Sequence, residues 1–166
     1  MTAPFHDLQG KSVFITRGGS GIGAALTDGF LAQGANVACV GRSDASALVQ
    51  QVARKHATPP LFLLGDISDT ARLTETVAEV ATNGGITALC RAPDREFGPD
   101  DIRDDVLAPG WVLTENQLGK GATPDVLPAH LATRDIVEAV LFLASGCCRM
   151  MTVQCMAIGG GVVATG

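Results

Sequence analysis

The sequence has no tyrosine, one tryptophan, three lysines and three histidines in 166 residues. A phenolic general acid or base is therefore excluded, and few proton-transfer side chains remain. His6, His56 and His130 are scattered and have no ligand spacing. The five cysteines, Cys39, Cys90, Cys147, Cys148 and Cys155, are odd in number and include no C-x-x-C pair. That makes a poor disulfide framework; a soft metal site at "CCRMMTVQC" is the lesser reading, and with no C-x-x-C pair and no nearby histidine the cysteines read as buried or half-exposed thiols and no metal is expected. No apolar run approaches the roughly 18 residues that a membrane helix needs. The start, "MTAPFHDLQGKS", lacks a basic flank followed by an apolar region, so no secretory signal is read and a cytoplasmic location is expected. Net charge is −5, which disfavours nucleic acid and anionic membrane surfaces as partners.

With 46% hydrophobic and 17% charged residues, the composition suits one globular domain over residues 1–166. Short apolar runs alternate with amphipathic stretches. "SVFIT" (Ser12–Thr16), "NVACV" (Asn36–Val40) and "LFLL" (Leu61–Leu64) read as buried strands. The stretch from Gly21 to Gly34 predicts a helix with Ile22, Ala25, Leu26 and Phe30 inward. Asp44 caps a second predicted helix through about His56, with Leu48 and Val52 inward and Pro59-Pro60 as its stop. Residues 69–82 carry Leu73, Val77 and Val80 at helical spacing, and Ile86, Leu89, Cys90 and Phe97 form another such face interrupted by Pro93. A strand with its exit loop is expected over Ile102–Trp111, where Asp104 and Asp105 are out of place in a buried strand. Thr133 caps a strongly apolar helix, and "TVQCMAI" is the last strand. Non-alternating apolar strands separated by helices predict a doubly wound parallel α/β sheet, Rossmann-like, with five strands in the order 3-2-1-4-5.

"ITRGGSGIG" (Ile15–Gly23) lies between the first strand and the first helix. Gly18, Gly19, Gly21 and Gly23 would let the backbone approach a pyrophosphate, and the helix would present free N–H groups and its positive end. A plain glycine-rich turn is the competing reading. The segments "TRGGSGIG", "GDISD", "GGITALCRAPDREFGPDDIR", "LAPGWVLTE", "IVEAVLFLAS" and "IGGG" together resemble the short-chain dehydrogenase/reductase family, in family order and over nearly the whole chain. The resemblance implies that Thr16, Ser20, Gly21, Ile22 and Gly23 line the cofactor phosphates, alongside Arg17, Gly18 and Gly19 of the same loop. It also implies that Asp66 and Ile67 face adenine and that Pro109, Gly110, Val112 and Thr114 border the nicotinamide. For Thr114 a simple capping role fits equally. The second strand ends in Gly41-Arg42 in place of an acid that would bond the ribose hydroxyls. Arg42 is then either a cation for a 2′-phosphate, which favours NADP over NAD, or a solvated surface residue.

Two departures qualify the resemblance. Arg17 stands where the family has the first glycine of its loop, so a side chain occupies a tight turn. In addition, "AEVATN" runs straight into "GGITAL", which omits the family segment bearing the catalytic Asn, Ser, Tyr and Lys. No catalytic residue is therefore assigned. The family implies hydride transfer between NADP(H) and an alcohol or sugar. The alternatives are a catalytically silent, shortened relative that binds a nucleotide or a partner, and a non-functional fragment. Self-association through the last strand and tail, "CMAIGGGVVATG", is also open.

Overall fold

The computed structural model describes residues 3–66, 103, 105–115, 130–152 and 154–161. The helices expected over 69–82 and around Ile86–Phe97 lie outside the described residues, as do Ile67, Cys90, Asp104 and Lys120. The chain contains two compact units, Met1–Ala88 and Leu89–Gly166.

In the first unit, β1 (Ser12–Thr16), β2 (Asn36–Gly41) and β3 (Leu61–Leu64) form a parallel sheet in the order β1-β2-β3. α1 (Gly21–Ala32) links β1 to β2, and α2 (Ser46–Ala53) links β2 to β3. In the described pairing β2 is the interior strand, with β1 on one side and β3 on the other. Burial follows that position: Val37, Ala38, Cys39 and Val40 are all buried. β3 is less enclosed than its apolar sequence predicts, and Leu61 and Leu64 are exposed, because its described pairing is with β2 alone.

α1 ends as its sequence predicts. The Gly34 N–H donates to the Leu31 carbonyl and the Ala35 N–H to the Phe30 carbonyl, while Gly34 takes φ +77°. These two bonds satisfy carbonyls at the helix end, and the left-handed backbone is one that glycine adopts without strain. The inward face differs from the expected one. Thr27, Phe30 and Leu31 are buried, whereas Ile22, Ala25 and Leu26 are half-buried. The helix is turned so that the Thr27 hydroxyl lies under the loop that precedes it.

α2 is shorter than expected at both ends. Asp44 stands one residue before the cap position, and its carboxylate accepts hydrogen bonds from the Ser46 hydroxyl and the Ser46 N–H. The hydroxyl first, then the amide, holds the Asp44 carboxyl below the usual carboxylate range. At the other end the Lys55 and His56 amides both donate to the Val52 carbonyl, which closes the helix before the prolines. His56 Nε2 then lies 2.8 Å from Asp28 Oδ1 on α1, with Lys55 Nζ 3.4 Å from the same carboxylate.

In the second unit, β4 (Val106–Pro109) and β5 (Cys155–Ile158) pair in parallel, and α3 (Thr133–Ala144) lies between them in sequence. Each described sheet is parallel within itself, and the two contain the expected runs 3-2-1 and 4-5; a β1–β4 pair is not among the described hydrogen-bonded partners. Thr133 is the first helical residue, not the cap. Ala132 takes the cap position, where its N–H donates to the Asp135 carboxylate at 2.8 Å and its carbonyl accepts from the Asp135 N–H. Ile136, Val137 and Leu141 form the buried stripe of α3.

The oddity of Asp105 is resolved by its neighbours. It precedes β4, with its side chain only 6% exposed, and its Oδ2 is 3.6 Å from Arg103 Nη1. Its other oxygen accepts the Gln154 N–H at 3.1 Å. Arg103 also donates to the carbonyls of Leu143, Ser145, Cys148 and Met151. One guanidinium thus serves carbonyls at the end of α3 and the turn after it, and also faces the buried carboxylate.

Candidate functional site

Parallel register places the carboxyl ends of β1, β2 and β3 at one edge of the first sheet. Thr16 pairs with Val40, Val40 with Leu63, and Gly41 with Leu64. The segments that leave those ends are Arg17–Ser20, Arg42 and Gly65-Asp66. In open α/β sheets this is the edge where ligands bind.

The loop lies close against the sheet because its residues are glycine. A Cβ on Gly18 would stand 2.3 Å from Cys39 Cβ, and one on Gly19 would stand 2.9 Å from Ala45 Cβ and 3.1 Å from the Phe62 ring. A Cβ on Gly23 would stand 2.2 Å from the Arg17 carbonyl oxygen. The start of α1 is therefore in contact with the loop backbone. The Thr27 hydroxyl, fully buried, lies 3.1 Å from the Gly18 carbonyl and 3.0 Å from the Gly23 carbonyl, and shares its one hydrogen between them.

Ser20 caps α1 by position only, and its side chain makes no capping hydrogen bond. The Ala24 N–H returns to the Ser20 carbonyl. The earlier amides of the first turn are the orphan donors of a helix start, at the positive end of its dipole. Such amides suit a phosphate.

Arg17 keeps the turn and bears its strain. Its φ is +57°, the only positive φ of a non-glycine among the described residues. The side chain has not forced another path; the backbone takes the left-handed conformation that glycine would take there. That conformation costs an L-residue about 1–2 kcal/mol. Arg17→Gly is therefore expected to raise stability by about 1 kcal/mol, read as a higher denaturant midpoint at unchanged slope. A lower midpoint would mean that the arginine side chain has contacts worth more than the strain.

At the end of β2, Arg42 is 72% exposed, and its Nη1 lies 4.0 Å from Asp66 Oδ2 beyond β3. The Gly65 N–H donates to the Gly41 carbonyl at 2.9 Å, so the two strand ends are tied together there. Three residues of this edge were not singled out from sequence: Thr27, Cys39 and Phe62. Thr27 had a legible signal, a hydroxyl at helical spacing on an apolar face next to a glycine loop. Cys39 lies fully buried beneath Gly18, and burial pushes its thiol up, with partial relief from Thr27, so it is packing and not a nucleophile.

In the second unit, the Gly110 N–H donates to the Ile158 carbonyl at 2.8 Å. A Cβ on Gly110 would fall 2.8 Å from Gly159 Cα, so glycine is needed where β4 and β5 end side by side. Pro109 is exposed within β4, Val112 is buried and Thr114 is half-buried. The Leu113 N–H donates to the Leu131 carbonyl, which brings this segment to the start of α3. Among the described residues no group of three or more His, Cys, Asp or Glu is arranged to hold a metal ion. No helix among them is long and apolar enough to cross a membrane.

Comparison with known proteins gives a consistent result. A family profile described as short chain dehydrogenase matches residues 11–85. A probable galactose dehydrogenase of Rhizobium meliloti is 26% identical over 255 residues, covering 98% of this chain and 100% of that protein. A D-xylose 1-dehydrogenase of Caulobacter vibrioides is 25% identical over 230 residues, covering 87% and 92%. The solved 3-oxoacyl (acyl-carrier-protein) reductase of Agrobacterium tumefaciens, with NADP bound, superposes with a TM-score of 0.79 at 18% identity, over 95% of this chain and 96% of that one. An alignment of 255 positions against 166 residues leaves at least 89 positions with no residue of this chain opposite them. The family match stops at residue 85, next to the junction of "AEVATN" with "GGITAL". Residues 11–85 thus match the short-chain dehydrogenase profile, the 166-residue chain is similar along most of its length to sugar dehydrogenases, and its fold is that of solved short-chain dehydrogenases/reductases.

Proposed function

We propose that the chain binds a nicotinamide dinucleotide at the carboxyl edge of β1–β3, prefers NADP(H) to NAD(H), and does not oxidise alcohols unaided. The observation that carries this reading is the loop from Thr16 to Gly23. It lies flush against the sheet and leads into a helix start whose serine cap is unused. Arg17, Gly18, Gly19, Ser20, Gly21 and Ile22 complete the phosphate-side set. The family resemblance adds Asp66 and Ile67 toward adenine. It also assigns Pro109, Gly110, Val112 and Thr114 of the second unit to the nicotinamide side. On this reading both units belong to one dinucleotide-binding domain over 1–166.

When bound, the nicotinamide accepts or donates a hydride. The residues of this chain hold the phosphates and ribose, and the 2′-phosphate falls to Arg42, the exposed cation at the end of β2. The relatives named as sugar dehydrogenases make a sugar or secondary alcohol the substrate class of the ancestral reaction. Self-association would use β5, whose Cys155 and Ala157 are exposed, and sedimentation of the purified protein tests it.

Calorimetric titration with NADPH and NADH tests the preference. Arg42→Ala is expected to weaken NADPH binding by about tenfold, the value of one charged hydrogen bond, and to leave NADH unchanged. Equal or tighter binding of NADH by the unaltered protein would overturn the preference.

A further inference from the structure

We propose that Asp66 limits selectivity for NADP(H) by pairing with Arg42, the same guanidinium that the 2′-phosphate would engage; this deepens the dinucleotide-binding reading and rests on it. The geometry comes from the sheet. Gly41 and Leu64 are partners in the parallel register, and the Gly65 N–H to Gly41 carbonyl bond extends that pairing by one residue. Arg42 and Asp66 therefore leave adjacent strand ends at fixed spacing, and their side chains meet at 4.0 Å, Nη1 to Oδ2.

At that distance the pair is an ion contact without a hydrogen bond, and both groups are solvated, 72% and 48% exposed. The carboxylate does not immobilise the arginine. It neutralises part of the charge available to a phosphate, and its own charge stands beside the position a phosphate on Arg42 would take. A cofactor without a 2′-phosphate meets neither effect. A carboxylate that served only to contact adenine would act equally on NADPH and NADH. The ratio of the two affinities separates these roles.

The experiment is calorimetric titration of the full chain with NADPH and NADH for the unaltered protein, Asp66→Asn, Arg42→Ala and the double variant. Asp66→Asn is expected to raise the NADPH-to-NADH affinity ratio by about two- to fivefold, the range for an exposed ion pair. In the Arg42→Ala background the same change should leave the ratio unaltered, because the cation it acts through is gone. An unchanged ratio in Asp66→Asn overturns the proposal, as does a change that persists without Arg42. Binding of neither cofactor by any variant overturns the dinucleotide reading itself.

Discussion

Purified protein incubated with NADP⁺ or NADPH and a panel of sugars, secondary alcohols or their carbonyl counterparts is expected to show no turnover above background, even where cofactor binds. Removing a proton from the alcohol requires a group within about 3 Å of the reacting oxygen, with a protonation state suited to the transfer. The family supplies this with a tyrosine assisted by a lysine, and this sequence has no tyrosine. Two of the three lysines are described: Lys11 precedes β1, and Lys55 faces Asp28. His56 is engaged with the same carboxylate. Asp105 is buried against Arg103 and the Gln154 amide, with its side chain only 6% exposed. Among the described residues no acid–base group is left placed for the transfer, and the lack of one costs about 10²–10⁴-fold in rate. By the family resemblance, the segment without counterpart here would also bring substrate contacts, and with them the orientation on which the remaining rate depends. Robust cofactor-dependent turnover by sequence-verified protein would refute this and identify a different base.

The second large effect is expected at the loop. Gly23→Val should destabilise the protein by about 2–3 kcal/mol and abolish measurable dinucleotide binding. The Cβ would start 2.2 Å from the Arg17 carbonyl oxygen and close to the Gly18 backbone, atoms that cannot rotate away as a side-chain tip can. Relief requires that α1 and the loop separate. Separation would break the Thr27 bond to the Gly18 carbonyl and carry the first-turn amides away from the strand end. Gly18→Ala tests the other side of the same fit, since its Cβ meets Cys39 Cβ at 2.3 Å on the interior strand. Melting curves and calorimetry on both variants check the expectation. Retention of stability and of NADPH affinity in Gly23→Val would show that the loop is not clamped as described.

The strong local signals were legible in sequence. β1, β2 and β3 follow from apolar runs, the end of α1 from Gly34, and a close glycine-rich turn from glycines placed between strand and helix. The absence of tyrosine was equally plain, because a missing residue type needs no structure to be noticed. Local rules erred where long-range contacts decided. The inward face of α1 shifted to Thr27, whose hydroxyl reaches the Gly18 carbonyl of the preceding loop as well as the Gly23 carbonyl one turn back in its own helix, and the first of these partners lies outside the helix. The short α2 reflects the Asp28 carboxylate on another helix, which takes up Lys55 and His56.

Sequence alone determined which residues form the strand–loop–helix and that no tyrosine is present, since periodicity and composition are properties of the chain. Only the tertiary structure decided that Arg17 would accept a left-handed backbone, that Arg103 would neutralise Asp105, and that Arg42 would meet Asp66. In each case the partner or constraint lies on a segment brought near by folding. The strength of a charge or a strained dihedral depends on those neighbours and not on the residue's own identity.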